Sequence, residues 1–119
     1  MIKQLKFVGI PTRDQDAALL FWTEKIGFNV ATDQPMGAQR WIELAIPGAQ
    51  TGIVLFTPEG HEDRVGSFFN GSFQCDDVDY THRQLRERGV DIDPPEKQPW
   101  GTFCRFRDPD GNTFILSSR

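Results

Sequence analysis

Apolar residues recur along this chain with two periods, two and about three and a half, and the switch between them happens twice. Residues 6–12 read as a strand that Arg13-Asp14 ends. Asp14 is placed to cap the following helix, with Asp16 in its first turn. Ala18, Phe21, Trp22 and Ile26 share one helical face, and Gly27 is the expected stop. A strand starts over residues 28–31. Residues 41–46 then alternate, with Ile42, Leu44 and Ile46 on one side and Trp41, Glu43 and Ala45 on the other. Pro47-Gly48 turns the chain, and residues 52–56 return as a strand.

The order then repeats. Residues 69–75 read as a strand, Asp77 caps, and Val78, His82 and Leu85 face inward along a second helix. Gly89 stops it before a short strand at 90–92. Residues 102–107 and 113–117 form a hairpin around 108–112, where Pro109 presets the turn and Gly111 tolerates positive φ. Asn70 falls over Phe7, Asp77 over Asp14, Gly89 over Gly27 and Ile115 over Val54. The predicted fold is α+β: one domain, residues 1–119, of two tandem βαβββ modules at about 1–57 and 67–119. Residues 58–66 read as the linker. Residues 33–39 and 93–101 read as loops.

Composition narrows the function classes. The chain has 119 residues, enough to bury a core without disulfides. A net charge of −4 gives no footprint for nucleic acid. No apolar run approaches a membrane span, and the N-terminus lacks a signal-peptide pattern, so a cytoplasmic location is expected. Cys75 and Cys104 are expected to be buried, reduced thiols. Ten Phe and three Trp exceed what a small core hides, so some should line a cavity or a subunit contact.

Three phrases carry a resemblance: Phe21-Trp22 to Gly27-Phe28, Cys75-Asp76-Asp77-Val78-Asp79, and Arg107-Asp108-Pro109-Asp110-Gly111-Asn112. With the repeated element order, the chain resembles the vicinal oxygen chelate superfamily of glyoxalase I, extradiol dioxygenases, and fosfomycin- and bleomycin-resistance proteins. The resemblance implies eight strands in mixed, curled sheets, with helices on the convex side and a cavity on the concave side. It also implies metal ligands on the first and fourth strands of each module. Those positions hold Phe7, Val54, Asn70 and Ile115. Asn is a weak neutral donor and the other three cannot ligate, whereas a divalent ion needs several convergent donors. No metal and no cofactor are therefore expected.

Strand alternation puts Phe7, Trp41, Glu43, Val54 and Phe56 on the concave side of the first module. Asn70, Phe103, Arg105 and Ile115 take the same side of the second, and these nine are the candidate ligand-binding residues. Trp41 and Phe56 would stack on a planar ligand or pack in a subunit contact. Glu43 is the candidate catalytic base, a partner for a cationic ligand, or a solvated carboxylate. Arg105 would clamp a carboxylate or phosphate, or pair with Glu43 or Asp77. Arg107 reads as a surface residue or a partner of Asp108. The function expected is metal-independent binding of an aromatic or cationic small molecule by a homodimer. The alternative is a metal-dependent or acid/base lyase, isomerase or dioxygenase of the same superfamily.

Overall fold

A computed structural model describes residues 1–67 and 70–118, with Asn70 described by its backbone alone. The chain divides into two compact units, Met1–Val65 and Gly66–Arg119.

In the first unit, strand β1 (Phe7–Pro11) leads through Asp14 into helix α1 (Gln15–Leu20). The Asp14 carboxylate accepts from the Ala17 N–H at 3.1 Å, as the sequence predicts. The helix does not stay α-helical. Phe21–Lys25 forms a π-helical turn, closed by the Ile26 N–H to the Phe21 carbonyl at 3.1 Å. Such turns are rare. Here it coincides with two consecutive bulky residues, Phe21 and Trp22, that are both buried. Gly27 ends the segment with φ 98.

Strands β2 (Asn29–Met36), β3 (Gln39–Ala45) and β4 (Gly52–Phe56) complete a sheet of order β1-β4-β3-β2. β1 and β4 are parallel; the other neighbours are antiparallel. Ile10, Ile42, Leu44, Ile53 and Leu55 are all buried, on the face shared with Ala18, Phe21 and Trp22 of the helix. The expected loop at 33–39 is instead a long hairpin, with Met36 opposite Gln39 and Gly37 at φ 63 in a two-residue turn. Pro35 is tolerated because β2 is the sheet edge.

The second unit repeats this plan. Strand β5 (Asn70–Gln74) leads to α2 (Val78–Glu87), where Asp77 accepts from the Tyr80 N–H at 3.0 Å. The two capping aspartates have matching backbones, φ −140 in both. Val78, His82 and Leu85 are buried as expected. Strands β6 (Asp91–Ile92), β7 (Glu96–Gln98), β8 (Gly101–Arg107) and β9 (Thr113–Ser117) follow. The order is β5-β9-β8-β6, with β7 also on β8. Gly9 faces Val54 in one unit as Ser72 faces Ile115 in the other.

The stretch 93–101, expected to be a loop, thus contains β7. β6 and β7 occupy successive parts of the same β8 edge that the single β2 takes on β3. Pro94 and Pro95 lack the N–H groups that would make them one strand. That split raises the eight strands implied by the resemblance to nine among the described residues. The expected linker 58–66 carries a 3-10 turn at Glu62–Arg64 and ends on the buried Val65 and on Gly66.

Candidate functional site

The strand registers assign the face away from α1. Paired residues share a face, so Phe7, Gly9, Trp41, Glu43, Val54 and Phe56 lie together on the first unit's sheet. Phe7 and Trp41 meet edge to face, centroids 5.5 Å apart. Phe56 lies over Gly9, where an added Cβ would stand 2.9 Å from its Cε1. Phe7, Trp41, Glu43 and Phe56 are half-buried, whereas Val54 is only 3% exposed. Val54, on the central strand β4, lies on the expected face but exposes little surface there. Glu43 sits between Val54 and Thr32 and makes no hydrogen bond or ion pair among the described residues.

Around this face the first unit is fastened by polar side chains. Gln15 donates to the Arg40 and Leu55 carbonyls at 2.8 and 3.0 Å. Gln39 donates to the Thr57 carbonyl and accepts from its N–H. Arg40 forks onto Asp33 at 3.1 and 3.0 Å and also binds Asp16. The hydrogen bond from Arg40 holds the Asp33 carboxyl below the usual carboxylate range. An open polar cavity of about 550 Å³ lies beside this cluster, lined by Arg13, Asp14, Asp16, Gln39, Thr57 and Glu59 among others. Sequence reading missed it, because its walls come from a turn and from the 33–39 hairpin that read as a loop.

In the second unit Phe103, Arg105 and Ile115 lie on one face, as the alternation predicts. The side chain of Asn70, the remaining candidate, lies outside the described residues. Trp100 stacks on Phe103 at 5.6 Å and 22°, and the Arg105 guanidinium stands 5.4 Å from the same ring centroid. Within its own unit Arg105 approaches Glu96 at 3.8 Å rather than Asp77. The reason is β7, which sets Glu96 beside this part of β8. Arg107 grips Asp93 at 3.0 and 3.1 Å rather than Asp108. Its hydrogen bond holds the Asp93 carboxyl low. Asp108 is occupied within the turn, accepting from the Asp110 and Asn112 N–H groups and from the Asn112 amide.

Neither histidine joins these faces. His61 is exposed beside the 3-10 turn, and His82 is buried on α2. The four positions where the resemblance implies metal ligands do not fit a metal, since Phe7, Val54 and Ile115 are hydrocarbon. Among the described residues no three His, Cys, Asp or Glu side chains converge as a metal site requires. Cys104 is buried and Cys75 half-buried. Desolvation raises both thiols, Cys104 to about 11.

The model of the Glyoxalase/Bleomycin resistance protein/Dioxygenase superfamily matches residues 4–116. The chain belongs to this superfamily. Solved structures share its architecture along nearly their whole length. TnmS3, an antibiotic binding protein from Streptomyces sp. CB03234, is 38% identical with a TM-score of 0.86, over 98% of this chain and 95% of that one. A bleomycin resistance determinant encoded on the transposon Tn5 is 26% identical with a TM-score of 0.77, over 98% of each chain. In sequence, YetH of Bacillus subtilis (strain 168) is 40% identical over 98% of both chains. No helix of this superfamily member is long and apolar enough to cross a membrane among the described residues.

Proposed function

We propose that this protein is a metal-independent, cytoplasmic binder of small molecules, taking an aromatic or cationic ligand on the sheet faces opposite its helices. One observation carries the reading: half-buried and exposed aromatic rings line those faces, while three of the four positions that would hold a metal are hydrocarbon and the fourth is a neutral Asn. Phe7 and Trp41 offer an edge-to-face pair, and Phe103 with Trp100 a stacked one. Planar ligands gain from such surfaces both by burial and by ring geometry. The names of two similar structures, an antibiotic binding protein and a bleomycin resistance determinant, support ligand capture as the task. Sequestration needs affinity alone and no reacting group. The functional form we propose is a homodimer.

The test is a thermal-shift screen of planar aromatic antibiotics, run with and without divalent metals. Stabilisation by an aromatic compound and indifference to metal are expected. Large stabilisation by Ni, Mn, Zn or Fe, with stoichiometric metal in the purified protein, would sink the proposal.

A second reading is favoured by the Glu43 carboxylate, which has no hydrogen-bond or ion-pair partner among the described residues and suits an acid/base lyase or isomerase. It requires turnover of a dicarbonyl–thiol adduct or a related substrate, abolished by Glu43→Gln.

A further inference from the structure

Charge is distributed unequally between the two sheet faces. On the second unit the face charges are paired: Arg105 with Glu96, and Arg107 with Asp91 and Asp93. On the first unit the registers place Glu43 among Thr32, Gln34, Trp41, Gly9 and Val54. No other residue that those registers put on this face, among the described residues, is ionisable. The basic residue of β3, Arg40, has the opposite parity and is held by Asp33 and Asp16. Glu43 is thus a half-buried carboxylate with aromatic neighbours and, among the described residues, no counter-charge on its own sheet face.

We infer that Glu43 is the charge-selecting residue of the ligand face, and that the ligand is a planar aromatic carrying a cationic nitrogen. This rests on the ligand-binding reading above. A ligand that covers the face strips water from Glu43, and a carboxylate that loses water without gaining a partner opposes binding. A protonated amine replaces that water with a charge-assisted hydrogen bond. The surrounding rings favour the same sign, because aromatic faces attract cations. An anionic ligand meets repulsion from Glu43 and finds no base on this sheet face among the described residues.

A matched series on one ring decides the point: 9-aminoacridine, cationic at pH 8; acridine, neutral there; and acridine-9-carboxylate, anionic. Isothermal titration calorimetry at low salt should give 9-aminoacridine an affinity about tenfold above acridine, in line with one charge-assisted contact. Acridine-9-carboxylate should bind weakest. In Glu43→Gln the preference for the amine should collapse to about twofold or less; Glu43→Ala reads the same ratio if the first variant fails to fold. Equal affinities for amine and neutral ring in the wild type, or a preference that survives loss of Glu43, overturn the inference and leave the ligand-binding reading standing. Failure of all three acridines to bind overturns both.

Discussion

Asn112 is fully buried in the turn 108–112, and its amide donates to Asp108 Oδ2 at 2.9 Å while its Oδ1 accepts from the Gly66 N–H at 3.0 Å. Removing a buried partner leaves the other group desolvated, so Asn112→Ala should cost about 1–3 kcal/mol. Chemical denaturation checks this. Carboxylates of the two units give opposite pH signatures. Asp93 and Asp33 have folded pKa values lowered, first by hydrogen bonds from Arg107 and Arg40. As pH falls, the unfolded chain therefore takes up these protons first. Their stabilisation is full above the unfolded carboxylate range, about pH 4, and is lost as pH falls through the folded values. Asp108 is raised by burial, so its contribution is full below its unfolded value and is lost as pH rises through its folded one. The Arg107–Asp93 pair is partly exposed, so its effect is modest and screened by salt. In urea titrations Arg107→Gln should lose less stability than the wild type between pH 5 and pH 3. Equal slopes would show that the pair contributes nothing. At the thiols, raised pKa values predict slow labelling of Cys104 and Cys75 by disulfide reagents at pH 8 in the native state. Fast labelling of Cys104 would contradict its placement on the helix-facing side of β8.

The elements differ in how far the sequence disclosed them. Strands with one face against a helix were readable, because burial on that face imposes strict alternation: Ile42 and Leu44 inward, Trp41 and Glu43 outward. The helix starts were readable because Asp14 and Asp77 are strong local signals. The 33–39 hairpin was not, since Pro35 and Gly37 are breakers by local rules and only the edge position of β2 makes them acceptable. β7 was hidden for a similar reason. Glu96, Lys97 and Gln98 are exposed and carry no apolar period, so only their pairing with β8 makes a strand. Missing β7 also hid Glu96 as the neighbour of Arg105. The site was therefore legible where it depends on strand parity and illegible where it depends on a pairing partner. Gly9 gives an element-scale test, because β1 passes beneath the Phe56 ring. Gly9→Ala should displace that ring, at a cost in stability of about 1–3 kcal/mol, and weaken ligand binding. Calorimetric titration with 9-aminoacridine and a melting curve report the two effects separately. Unchanged affinity would remove Phe56 from the ligand face.

At the scale of the molecule, we propose that the two units, though each is compact, form one cooperative domain. Calorimetric and van't Hoff enthalpies of unfolding should then agree. Two resolved transitions would make Met1–Val65 and Gly66–Arg119 independent. The homodimer proposal has its motive in the aromatic residues left half-buried or exposed on the sheet faces, since large apolar patches are uncommon on soluble monomers. Two-fold pairing is the commonest way to cover them. Sedimentation should give a dimer at micromolar concentration, and a monomer unaffected by ligand would rule that out. The central claim, ligand capture without a metal, is tested most directly by titrating 9-aminoacridine into protein dialysed against a chelator and then into the same protein resupplied with Ni, Mn, Zn or Fe(II). Binding of equal affinity in both is predicted. Binding that appears only after a metal is restored would contradict the account.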